Sequence, residues 1–410
     1  MDIQTYELDN GLRVLYKYIP YTRTVHCGYV INTGSRDDTE GRMGIAHFIE
    51  HMIFKGTAKR KTFHILNYLE SVGGDLNAYT SKEKICLYAS LMSDYFDRAC
   101  ELLTDITFHS TFPEKEINKE KQVISEEIDM YRNSPDEAIF EDFDELIFPK
   151  HTLGHPILGT KNSIRSFTQD VLKDHLSNSF VQDQVIFGIV GNVKPKQVEK
   201  IIEKYLRPLE LPSGEVKRSS PILAPIREKK VKIETDQAHT IIGGRAYALR
   251  KELYVPFLLL NNMLGGPAMN SRLNLNIREK YGLSYNINSF YSPYLDSGMW
   301  GIYFACEDKN IQRIRKLVFK ELKQLREAPL GSLRLSQAKK QLAGQLTLGY
   351  ENLLTQMLGM SNDLLDFGKL TSFSDFLKTI NEVSAKDIMD AANEVFQEDS
   401  LSEISYRKLA

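Results

Sequence analysis

Apolar and polar positions alternate with a period of two from Tyr6 to Tyr16, interrupted by Asn10-Gly11. That pattern predicts a β-hairpin with Asn-Gly in a tight type I′ turn. Thr24 to Thr33 reads as a further strand. From Ile45 to Phe54 the apolar spacing changes to three and four, the period of a helix, and Thr62 to Val72 repeats it. Gly73-Gly74 breaks the chain, and Asp75 to Met92 reads as an extended strand or hairpin. Helical patterns cover Asp94 to His109, Pro113 to Arg132, Pro135 to Phe148 and Phe167 to Phe180. Gln184 to Val193, with the unbroken apolar run Val185 to Val190, reads as a buried strand, and Pro195 to Tyr205 as a helix.

Between Leu206 and Lys230 the pattern stops. Pro208, Pro212, Gly214, Pro221 and Pro225 fall among charges and serines there. Proline has no amide to donate to a ladder or a helix interior, so this stretch predicts a linker. Beyond it the order of elements repeats: a strand (Ala238 to Ala248), a helix (Val255 to Leu264) closed by Gly265-Gly266, and a second helix (Ser271 to Tyr281). A long extended segment (Leu283 to Ala305) and long helices from Lys309 to Asn362 follow. Strands and helices mixed in this order predict an α+β fold, and the repeated order suggests a duplication. The expected division is 1–210, a linker at 211–229, and 230–410.

Composition narrows the function classes. A formal net charge of −2 excludes the broad basic field of a nucleic-acid binder. No stretch approaches the roughly 18 apolar residues of a membrane span. The start, Met1 to Glu7, has neither a basic region nor an apolar one, so no leader peptide is expected. Cys27, Cys86, Cys100 and Cys306 are too sparse for a disulfide scaffold and form no C-x-x-C pair, which favours reduced thiols and a cytoplasmic location.

One segment carries chemistry. In a helix, positions i, i+3 and i+4 share a face, so His47, Glu50 and His51 stand together. Two imidazoles one turn apart can reach the same Zn²⁺, and the carboxylate between them can take a proton from a water that the metal acidifies. With nine histidines in the chain, H-x-x-E-H arises by chance somewhere with a probability of about 1%. A catalytic zinc site needs a third protein ligand. The acidic helix with Glu114, Glu116, Glu120, Glu126 and Glu127 is the natural source. Spacing alone does not choose between Glu126 and Glu127.

His47-Phe48-Ile49-Glu50-His51 followed by Met52 to Thr57 resembles the signature of the pitrilysin-type (M16) metallopeptidases, in particular the mitochondrial processing peptidase and its bacterial relatives. Gly73 to Thr80 is similar to the family's glycine pair and following strand, and Glu120 to Ile128 to its downstream acidic helix. The resemblance covers nearly the whole chain. It implies one Zn²⁺ per chain on His47, His51 and Glu127, Glu50 as general base, and Glu120 as a carboxylate supporting the ligands. It implies that the strand around Asn77 and Ala78 pairs with the substrate backbone, favouring extended peptides. Arg278-Glu279-Lys280-Tyr281-Gly282-Leu283-Ser284-Tyr285 resembles the family's second-half segment, which implies that Arg278 and Tyr285 contact substrate. Val255 to Asn262, in the place of the metal helix, has no His or Glu, so the second half is expected to be metal-free.

The resemblance further implies two homologous domains forming half of a clamshell chamber. A dimer would complete it, either a homodimer or a pairing with a related subunit. The expected activity is endopeptidase action on peptides or unfolded polypeptide, with Glu50 activating a zinc-bound water. The alternatives are a non-catalytic assembly subunit of the same fold and a narrow-specificity processing peptidase. The acidic run Glu137, Glu141, Asp142, Asp144, Glu145 could attract basic substrates or simply be a solvated helix face.

Overall fold

The computed structural model describes residues 3–222 and 224–409. Met1 and Asp2, on which the leader expectation partly rests, and Leu223 of the expected linker lie outside the described residues. The strands and helices run in order as follows. The first stretch holds β1 (Ile3–Glu7), β2 (Arg13–Tyr18), β3 (Thr24–Ile31), α1 (Ile45–Met52), α2 (Thr62–Glu70), β4 (Asp75–Thr80) and β5 (Ile85–Met92). Then come α3 (Phe96–Phe108), α4 (Glu114–Arg132), α5 (Pro135–Ile147), α6 (Lys161–Arg165), α7 (Gln169–Ser179), β6 (Val185–Gly191) and α8 (Pro195–Ile201). The later part holds β7 (Glu228–Ile233), β8 (Ala238–Arg245), α9 (Tyr254–Gly265), β9 (Asn286–Pro293), β10 (Gly298–Cys306) and α10 (Ile311–Glu327). The chain ends with α11 (Ser332–Tyr350), α12 (Leu353–Phe367), α13 (Phe373–Glu382), α14 (Ala385–Val395) and β11 (Ser402–Lys408). The fold is mixed α+β with two sheets.

The chain divides into two units, neither a continuous stretch. The first comprises the chain to Asp129, His155–Arg218 and Leu348–Thr371; the second takes Met130–Gly154, Ser219–Thr347 and the chain from Ser372. The first sheet has the order β1-β2-β6-β3-β5-β4 and the second β7-β11-β8-β10-β9. In each, one neighbouring pair is parallel, β2 with β6 and β7 with β11. The remaining pairs are antiparallel.

Long-range packing explains the interleaved sequence. The fully buried strand β6, Val-Ile-Phe-Gly-Ile-Val-Gly, lies inside the first sheet. Ile186 and Val190 pack with Leu15, Ile19, Met357, Met360 and Leu364, so α12 covers this face. Gly188 permits the approach: a Cβ there would meet Ser361 Oγ at 2.6 Å and Met357 Sδ at 2.7 Å. In the second unit, Ile139, Phe143 and Leu146 of α5 pack with Ile241, Tyr303 and Ile404 of the sheet. On its other face Trp300 packs with Phe257 and Phe396. Each such buried side chain contributes about 1.5–3 kcal/mol.

Two local expectations change. The β1–β2 hairpin exists, but Glu7 pairs with Arg13, leaving a five-residue loop rather than a tight two-residue turn. Asn10 is occupied otherwise: its Nδ2 donates to Leu206 O at 2.8 Å and Leu209 O at 2.9 Å. The expected helix at Ser271 to Tyr281 forms with a π-helical stretch, Asn274–Glu279.

Candidate functional site

Helix α1 is amphipathic in the sense its sequence requires. Ile45, Ala46, Phe48, Ile49 and Met52 are buried, and Phe48 meets Phe167 edge-on at 5.2 Å between ring centres. This anchors the helix and leaves His47, Glu50 and His51 on another face. The two imidazole centres stand 4.6 Å apart.

Helix α4 supplies carboxylates opposite. Ile117, Glu120, Ile124 and Ile128 are its buried residues. The stripe they mark also holds Glu127, seven residues beyond Glu120. Glu126 is exposed and accepts from Gln122 Nε2 at 3.0 Å. Of the two glutamates that spacing left open, Glu127 is the one on the histidine side: Glu127 Oε2 lies 3.7 Å from His51 Nε2. One potential ligand atom each from His47, His51 and Glu127 lies within 4.8 Å of the others.

Glu120 faces the other ring nitrogen, His51 Nδ1 to Glu120 Oε2 being 3.1 Å, and its second oxygen meets Lys55 Nζ at 2.5 Å. Burial pushes the Glu120 pKa up, but the hydrogen bonds from His51 and Lys55 outweigh it and hold the group below its usual value. An ionised carboxylate only accepts, so His51 Nδ1 donates to it, and the other ring nitrogen, Nε2, is the one that faces Glu127. Burial, with the neighbouring His51, pulls His47 down to about 3, so its ring is neutral and free to ligate. Burial raises Glu127, with Glu120 adding to the rise and His51 opposing it. Burial also raises Glu50, against the pull of Thr80 and His51.

Two imidazoles and one carboxylate are a donor set that suits Zn²⁺ with an open fourth position. The polar atoms agree: among the described residues, His47 Nδ1 and Glu50 Oε2 are buried with no hydrogen-bond partner, an arrangement costly unless the site is built for a ligand.

The other expected residues are placed separately. β4 is an edge strand, and Asn77 is exposed on it. The Ala78 amide donates to Asn77 Oδ1 at 2.9 Å. α1 packs against this strand. Arg278 and Tyr285 come together in the second unit, the guanidinium 5.5 Å from the ring centre. Tyr285 is 80% exposed, and Arg278 Nη1 donates to Asn274 Oδ1 at 3.2 Å. Lys55 and Thr80 lie in segments that the sequence singled out, but neither was given a role of its own at the histidines and glutamates. Lys55 sits four residues past His51, and Thr80 ends the strand beside α1; a basic partner for a buried Glu120 was the available signal.

Residues 13–161 match the family described as Insulinase (Peptidase family M16), and residues 166–342 match the Peptidase M16 inactive domain. The uncharacterised zinc protease YmxG of Bacillus subtilis is 34% identical over 97% of this chain and 96% of its own. This chain belongs to peptidase family M16. The mitochondrial-processing peptidase subunit beta of Blastocladiella emersonii is 29% identical over 97% of this chain and 87% of its own. The crystal structure of a peptidase M16 inactive domain from Pseudomonas fluorescens shares the fold, with a TM-score of 0.92 at 20% identity, covering 100% of this chain and 98% of that one. In this M16 chain, His47, Glu50, His51, Glu120 and Glu127 fall in the first matched segment and Arg278 and Tyr285 in the second. No helix among the described residues is long and apolar enough to cross a membrane.

Proposed function

We propose that this M16 chain is a zinc-dependent endopeptidase acting on peptides and on unfolded, extended segments. The observation that carries the reading is the convergence of His47, His51 and Glu127 within 4.8 Å beside a buried, partnerless Glu50 Oε2. Zn²⁺ held by those three residues supplies a Lewis acid that lowers the pKa of water and polarises a carbonyl. Glu50, raised by burial, takes a proton from the attacking water and returns it to the leaving amine. Glu120 orients His51. The edge strand β4 around Asn77 and Ala78 pairs with the backbone of an extended substrate, which takes the place of the Asn77 side chain on the Ala78 amide. Arg278 offers a fork of donors to substrate carbonyls, and Tyr285 donates to a developing oxyanion.

The repeated sheet order supports two homologous halves, 1–210 and 230–410 about a 211–229 linker, with only the first half binding metal. In this reading the chain is half of a clamshell chamber. It works as a homodimer, or with a related subunit, and Arg278 and Tyr285 of one subunit serve the site of the other. Four buried free thiols support a cytoplasmic location. The test is metal-dependent cleavage. Protein purified without chelator carries one zinc per chain and cuts a denatured polypeptide but not its folded form, and chelation stops the cutting until zinc returns. Purified protein without stoichiometric zinc would sink the proposal and favour an assembly role.

A further inference from the structure

α1 begins from a segment that is tied down on three sides. It starts after Gly44, whose backbone is left-handed (φ 85°) and where a Cβ would meet Leu158 O at 2.4 Å. Two amides at this start are satisfied from outside the helix: Asp38 accepts from Gly44 N through Oδ2 at 2.6 Å and from Ala46 N through Oδ1 at 3.2 Å. The preceding residue, Asp37, accepts a guanidinium fork from Arg218, Nε to Oδ1 at 2.8 Å and Nη2 to Oδ2 at 2.7 Å. Arg218 also donates to Asn32 Oδ1 at 3.1 Å, Asn32 O at 3.2 Å and Glu83 O at 3.0 Å. Next to it, the amides of Ser35 and Arg36 bond to Ser81 O and Lys82 O at 3.1 and 2.8 Å, in the turn that follows Thr80. The stretch Gly34 to Asp38 thus joins the start of α1, the end of β4 and Arg218.

Arg218 ends the second segment of the first unit and lies in the proline-rich stretch expected to be a linker. Its side chain is only 8% exposed. A buried guanidinium persists only where its donors are matched, and here the fork and three further acceptors match them. We propose that Arg218 is a positioning residue for the metal site: by fixing Asp37 it fixes Asp38, and Asp38 sets where α1 begins. His47 is the third residue of an eight-residue helix, so a shift at that start reaches the ligand face directly. The inference rests on the zinc reading above.

Two variants at Arg218 test it, and a third, at Asp38, extends the test. Arg218→Lys keeps the charge and loses the fork. Asp37→Asn combined with Arg218→Met removes both charges, so neither is left alone in the interior. Zinc affinity by chelator competition, the visible spectrum of the Co²⁺-substituted protein, and kcat and KM on an unfolded polypeptide are compared with wild type. Zinc affinity is expected to fall by roughly tenfold, as when outer partners of metal ligands are removed, with the Co²⁺ bands shifted. kcat falls while KM stays within about twofold. Asp38→Asn gives the same pattern. Wild-type zinc affinity and an unchanged Co²⁺ spectrum in either folded variant overturn the proposal and leave the peptidase reading intact. Failure of the wild-type protein to take up zinc breaks that reading itself.

Discussion

The strand series β2-β6-β3-β5-β4 of the first unit and β7-β11-β8-β10-β9 of the second follow one plan, each with a single parallel pair and an open edge at its last strand. Even the helices correspond: β3 leads to α1 as β8 leads to α9, and each sheet is covered by a helix from elsewhere in the chain, α12 in one and α5 in the other. The difference lies in what the helix after the third strand carries. α1 presents two histidines and a glutamate; α9 buries Pro256, Phe257, Leu259, Leu260 and Leu264 and has neither residue type. One backbone plan thus supports a candidate metal-ligand cluster or an apolar core depending on a few side chains, so the chemistry belongs to the residues and not to the fold.

The largest effect tests that contrast at its root. His47→Ala should remove bound zinc and lower cleavage by about a thousandfold or more, since the site keeps two ligands only. Leu259→Ala in α9 should leave zinc stoichiometry unchanged, as metal analysis of both would show.

Next come the covering helices. Met357→Ala in α12 and Ile139→Ala in α5, both fully buried, should each cost about 2–5 kcal/mol in denaturant unfolding. A small cost in one alone would break the equivalence of the two units.

Tyr285→Phe sharpens the division of labour. It should lower kcat/KM by about tenfold to a hundredfold with zinc content intact, and a loss of metal would contradict a substrate-contacting role for the second unit.

The smallest effect concerns α12, whose Asp363 carboxyl is pushed up to about 6 by burial and by Asp366. The folded protein therefore favours its protonated form. That contribution is whole below about pH 4 and is lost as pH rises through about 6. Asp363→Asn should stabilise the protein by about 1 kcal/mol at pH 7.5, a value reduced because the group is partly solvated. The gain should shrink towards zero at pH 4, by urea unfolding at both pH values.

What the sequence disclosed follows from the range of the interactions. H-x-x-E-H is local, since helical spacing alone puts His47, Glu50 and His51 on one face. Spacing leaves Glu126 and Glu127 open, and only the family resemblance implies Glu127. The inward stripe of Ile117, Ile124 and Ile128, which turns Glu127 towards His51, becomes plain once α4 is seen beside α1. The placement of α5 and α12 was not legible. Both read as ordinary helices, and only packing against Ile241 or Val190 decides which sheet each covers. β11 was missed because its partners β7 and β8 lie far back in the chain. The burial of Arg218 was not legible either, since nothing nearby in sequence announces Asp37 as its partner.

The most direct test of a zinc peptidase at α1 is to replace Glu50 with glutamine and measure metal and cleavage in the same preparation. Glu50→Gln should retain one zinc per chain, because the three ligands are untouched, and should lose cleavage of an unfolded polypeptide by about a thousandfold or more, because no group is left to take the proton. Cleavage at the wild-type rate with zinc bound would contradict the mechanism assigned to this site.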